Sequence, residues 1–137
     1  MKSSIVPWNR GLVVGLIAMA GAWAVQTPVL SHHSNSAYFV EKVDTVTGVV
    51  KEWQWVNPHT WLYLTADDGK GGKVEWMLEG RAPGVLIRAG WSKRVLKPGD
   101  TVTVHYGPAK DGSKSGIIAR VTLVDGTVLA NAGPGVQ

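Results

Sequence analysis

Between residues 45 and 124 the chain is cut by turn-forming clusters into runs too short for the helices of a bundle. Asn57-Pro58, residues 67–72 (DDGKGG), residues 97–100 (KPGD), residues 107–116 (GPAKDGSKSG) and Asp125-Gly126 concentrate Gly, Pro, Asp and Ser, which favour turn dihedrals and interrupt periodic structure. The runs between them are rich in β-branched and aromatic residues, which suit a pleated surface. Residues 45–56 (TVTGVVKEWQWV) are expected as the first strand, with Gly48 marking a bend or bulge. Residues 59–66 (HTWLYLTA) follow as the second. Residues 73–79 (KVEWMLE) alternate as the third, with Val74, Trp76 and Leu78 on one face and Glu75, Met77 and Glu79 on the other. Residues 101–106 (TVTVHY) and 117–124 (IIARVTLV) supply the fourth and fifth. Residues 81–90 (RAPGVLIRAG) break the alternation; Pro83 suits the first turn of a short helix and Gly90 its end.

Three strands, a short helix and two strands is the order of a small five-stranded OB-like barrel, all-β apart from the helix between strands three and four. A small open sandwich is the rival with the same strand count. The barrel is preferred because the helix falls where it can plug one end. The barrel domain is expected over residues 45–130, after a flexible arm at 32–44 and before a disordered tail at 131–137.

The first 31 residues read as a cleaved signal peptide. Lys2 and Arg10 lie in an acid-free start, residues 11–25 carry no charge, and small residues follow. Fifteen residues rise only about 22 Å as helix, short of the roughly 30 Å hydrocarbon core, so a retained anchor is the weaker reading. Two exits fit. Cleavage after Ala24 frees Val25; cleavage after Ser31 frees His32 as a new amino terminus. Export places the mature chain in the periplasm with no membrane attachment. Loss of residues 1–31 removes Lys2 and Arg10 and no acid, so the net charge falls from +4 to +2. That balance argues against a nucleic-acid partner. The absence of Cys excludes disulfides, thiolate metal sites and a Cys nucleophile.

Catalytic constellations are missing. No G-x-S-x-G occurs, and the Gly-rich loops lack the strand–loop–helix setting of a phosphate cradle. Glu75 and Glu79 would stand about 13 Å apart on a strand, too far for a retaining glycosidase pair. The expectation is therefore a non-enzymatic binding module, with two candidate sites. The first is a divalent metal site, copper being the leading ion, built from His32, His33, His59 and His105, since imidazole suits copper, nickel and zinc. A free His32 terminus would add an amine nitrogen. His59, in the turn after strand one, and His105, at the end of strand four, would converge where the loops after those strands flank one side of the barrel, and Asp44, Glu75 or Glu79 could add a carboxylate. The second is an aromatic face of Trp53, Trp55, Asn57, Trp61 and Tyr63 for a carbohydrate, another small ligand or a periplasmic protein. A strand bulge at Gly48 would instead turn Trp53 and Trp55 partly into the core.

His32-His33-Ser34 after the signal, residues 46–50 (VTGVV), residues 55–61 (WVNPHTW), residues 76–80 (WMLEG), Gly90-Trp91, residues 96–100 (LKPGD), residues 102–104 (VTV) and residues 108–112 (PAKDG) together resemble a family of uncharacterised exported bacterial proteins, a domain of unknown function. The resemblance covers roughly residues 32–130. It implies a periplasmic, OB-like, non-enzymatic domain and brings no established activity or ligand. In that family His-His-Ser follows an alanine-ending signal exit, which favours cleavage after Ser31; here Ser31 stands in place of the alanine.

Overall fold

The computed structural model describes residues 35–131. The expected signal peptide, His32, His33 and the tail beyond Asn131 lie outside the described residues.

A single 3-10 turn (Asn35–Ala37) leads into β1 (Asp44–Gln54), β2 (Trp61–Asp67), β3 (Lys73–Glu79), α1 (Pro83–Arg88), β4 (Thr101–Pro108), β5 (Ser115–Leu123) and β6 (Val128–Ala130). Antiparallel pairing runs β3-β2-β1-β4-β5-β6, and a short parallel pairing of Met77, Leu78 and Glu79 with Ser115, Gly116 and Ile117 closes β1–β5 into a five-stranded barrel. The helix between β3 and β4 is where the sequence pattern put it. Closure removes the exposed edges that make open sheets aggregation-prone. A sixth strand, beyond the five expected from the sequence, extends the β5 edge outside the barrel.

The core is aliphatic. Leu62, Leu64, Leu78, Val104 and Val121 are fully buried, and Leu86 of α1 seals one end with Trp91 and Leu96. The helix ends in a Schellman motif: Gly90, at φ 86°, donates its N–H to Ile87 O, and Trp91 donates its N–H to Leu86 O. Trp91 then anchors β6, donating Nε1–H to Ala130 O at 2.8 Å.

Gly48 is not the bulge. It keeps the inward parity of Val46 and Val50, and a Cβ there would lie 2.8 Å from Thr65 O. Its role is to let β1 and β2 approach closely. The register slips instead at Lys51, between the Val50–Leu64 and Glu52–Tyr63 pairs. One extra residue in β1 reverses the alternation, so Trp53 and Trp55 turn toward the core side.

Residues 35–43 run beside the end of β4. Phe39 N–H donates to Pro108 O at 2.9 Å, Lys110 N–H donates to Ala37 O at 2.9 Å, and Tyr38 bridges to Ala109. Tyr38 is buried there.

Candidate functional site

The turn between β1 and β2 passes through Asn57-Pro58, whose peptide bond is cis, and delivers His59 and Thr60 to the end of β3. Thr60 fixes the junction. It is fully buried, its Oγ1 donates to Arg81 O at 3.0 Å, and its backbone exchanges hydrogen bonds with Gly80 and Arg81. A Cβ at Gly80 would fall onto Thr60 Oγ1, so only glycine lets the two segments meet. The strings 55–61 and 76–80, twenty residues apart in the chain, are thus one structural unit. Trp61 pairs with Glu79, and His59 lies against the same residue.

Glu79 and Thr60 are the buried polar side chains among the described residues. A buried carboxylate is costly unless its oxygens are satisfied. Glu79 has two such partners. His59 Nδ1 is 2.6 Å from Oε1, and the Tyr38 hydroxyl donates to the same carboxylate. Burial, then the Glu79 charge and hydrogen bond, push the Tyr38 phenol up to about 12. A carboxylate is acceptor-only, so His59 donates through Nδ1 and its Nε2 takes no part in this contact. Glu79 is 5% exposed whereas His59 is 36% exposed. The arrangement is a surface imidazole oriented from below by a buried carboxylate, which a tyrosine from the amino-terminal segment also grips.

His105 is placed elsewhere. It lies within β4, on the outward side with Thr101 and Thr103, opposite Thr45 of β1 and Arg120 of β5. Its Nδ1 is 3.2 Å from Thr45 Oγ1 and 3.5 Å from an Arg120 nitrogen. Partial burial, then the Arg120 charge, hold its pKa below the ordinary histidine value. A neighbouring cation opposes a second positive charge at this ring. His105 faces Thr45 at the start of β1, whereas His59 leads into Trp61, which pairs with Gln54 at the end of β1, so the length of that strand separates the two residues. Among the described residues no three His, Asp or Glu side chains converge as a metal set.

The aromatic residues divide between two faces. Trp53 packs against Trp55 (centroids 5.7 Å apart) and Trp91 (5.6 Å), flanking the core near α1. Trp61 and Tyr63 stand half-buried on the outward face of β2, and Asn57 is exposed in the preceding turn. Sequence reasoning did not single out Tyr38. The signal available was its position five residues after His33, at the head of the apolar run Tyr38-Phe39-Val40.

A family model matches residues 21–119, and its family is one of unknown function, DUF6152. A search of the curated proteins finds no match to the chain. The matched span holds the whole His59–Glu79–Tyr38 unit and the β3–β5 pairing that closes the barrel. The chain belongs to this family of unknown function.

Proposed function

We propose that this protein is an exported, non-enzymatic binding module that holds a divalent metal ion, copper foremost, with His59 as the ligand built into the barrel. The observation that carries this reading is the 2.6 Å contact between His59 Nδ1 and the buried carboxylate of Glu79. A metal-binding imidazole characteristically has its second nitrogen fixed by a carboxylate, which sets the tautomer, aims the ring and raises its basicity. Tyr38 supports the rest of the set. It ties the amino-terminal segment to Glu79, and His33 and His32 lie five and six residues upstream. Fully extended, six residues span at most about 22 Å, so the length of chain allows both histidines to reach toward His59. Cleavage after Ser31 in the periplasm would give His32 a free amine as well as its ring. With His59 that makes a nitrogen-rich set of the kind copper favours. His105, held by Thr45 beside Arg120, stands outside it.

The intact mass of the exported protein, followed by copper(II) titration, tests this. The expected mass corresponds to a chain beginning at His32. His59→Ala weakens binding at least tenfold, Glu79→Gln weakens it about 10- to 100-fold through loss of ring orientation, and His105→Ala leaves it unchanged. Unchanged affinity in His59→Ala, or a chain beginning at Val25, contradicts the proposal.

A further inference from the structure

The second feature with binding chemistry is on the barrel wall, where β3 and β5 part company. Their parallel pairing covers only Met77–Glu79, and the final rung is Met77 N–H donating to Lys114 O at 3.0 Å. Before that point the loop 109–114 swings away from β3. Trp76 fills the gap, its ring meeting the edge of Tyr106 at 5.2 Å. Three adjoining depressions of about 340, 280 and 380 Å3 surround it, and each is lined by both Trp76 and Lys114.

The cations here are held unusually. Lys42 is paired with Asp44, Lys51 with Glu75, and Lys73 with Asp67. The two lysines of the loop rest on aromatic rings instead. Lys110 Nζ is 5.7 Å from the Phe39 centroid and Lys114 Nζ is 5.2 Å from the Trp76 centroid. Such a contact at an exposed site is weak, so the Lys114 ammonium is easily redirected to a carboxylate. Beside the indole lies a hydroxyl pair, Ser113 Oγ and Ser115 Oγ, 2.7 Å apart. Asp111 Oδ1 accepts the Ser113 N–H at 2.9 Å and stiffens the loop that carries them.

We propose that the cleft at Trp76, Lys114, Ser113 and Ser115 binds a carboxylated saccharide. A pyranose ring offers an apolar C–H face and a rim of hydroxyls, which match an indole face bordered by serine hydroxyls. The carboxylate draws Lys114 off the Trp76 ring, and the freed indole face takes the sugar. This site requires no metal and shares no residue with the His59–Glu79 unit, so each stands or falls alone.

The test is titration of the exported protein, in EDTA, with an oligogalacturonate trimer and separately with its neutral methyl ester. Binding is followed by the NMR signal of the Trp76 indole N–H. The trimer shifts that signal saturably, and the ester binds at least tenfold more weakly. Lys114→Gln weakens trimer binding about tenfold and removes most of its salt dependence. Trp76→Phe keeps a ring against Tyr106 and so preserves the fold, while weakening binding several-fold. Lys73→Gln, whose ammonium is paired with Asp67, leaves affinity unchanged. The proposal is overturned if the trimer produces no saturable shift at millimolar concentration or the ester binds equally well. It is equally overturned if Lys114→Gln binds like wild type, or if inorganic phosphate displaces the trimer at equal concentration.

Discussion

The carboxylate of Glu79 stands between Tyr38 and His59, and a double-mutant cycle on Tyr38 and Glu79 measures the coupling between those two residues. Glu79→Gln keeps the side chain's shape and removes its charge. Two hydrogen bonds to a buried ionised acceptor are weakened, from His59 at 2.6 Å and from the Tyr38 hydroxyl. A hydrogen bond to a charged group contributes about 1.5–3 kcal/mol. His59 is 36% exposed and can turn to water, and the glutamine escapes the carboxylate's desolvation. The net loss for Glu79→Gln is therefore expected at the lower end, about 2 kcal/mol. For a domain of this size that lowers Tm by about 8–16 °C. Tyr38→Phe removes one of the two bonds and costs about 1.5 kcal/mol. Because both changes delete the same hydrogen bond, the double variant loses less than the sum, by about 1 kcal/mol. Urea unfolding of the four proteins supplies the free energies, and equal m-values confirm that the denatured state is unchanged. Additive losses, within about 0.5 kcal/mol, would refute the shared hydrogen bond.

Two further outcomes follow from contacts at the same junction and on the opposite wall. Gly80→Ala drives a Cβ onto the buried Thr60 Oγ1; it should cost about 1–3 kcal/mol, and Thr60→Ala in the same chain should recover part of the loss of Tm. His105 has a folded-state pKa below its unfolded value, so the folded state favours the neutral ring. Its contribution to stability is present above about pH 6.5 and is lost as pH falls from there through the depressed folded value. Arg120→Gln should raise the His105 pKa in an NMR titration and flatten that part of the pH–stability curve; an unmoved titration would remove Arg120 as a cause.

The barrel was legible because its signals are local. Turn clusters at residues 67–72, 97–100 and 107–116 separate strands whose alternation survives in the structure, and Pro83 and Gly90 bracket the helix. The bulge was not legible in place. Lys51 has no special backbone preference, and the slip is decided by pairing with β2. Gly48 drew attention for its missing side chain, yet that absence serves a close approach to Thr65 rather than a bend. Trp53 and Trp55 could be assigned a face only after the slip was located. The site was legible in part. His59 and Glu79 were both candidates, but twenty residues separate them and the sequence offered no distance between them. Their contact depends on the Thr60–Gly80 packing, which is a tertiary fact. His105 was expected near His59 on the assumption that it ended its strand. β4 continues to Pro108, which leaves His105 on the outer wall beside Arg120.

Paramagnetic broadening by one equivalent of copper(II), read residue by residue in the NMR spectrum of the exported protein, tests the central claim most directly. The account predicts that signals of His59, Glu79 and Tyr38 broaden first while those of Thr45, His105 and Arg120 stay sharp. Broadening centred on His105, or confined to the amino-terminal segment with His59 untouched, would contradict it.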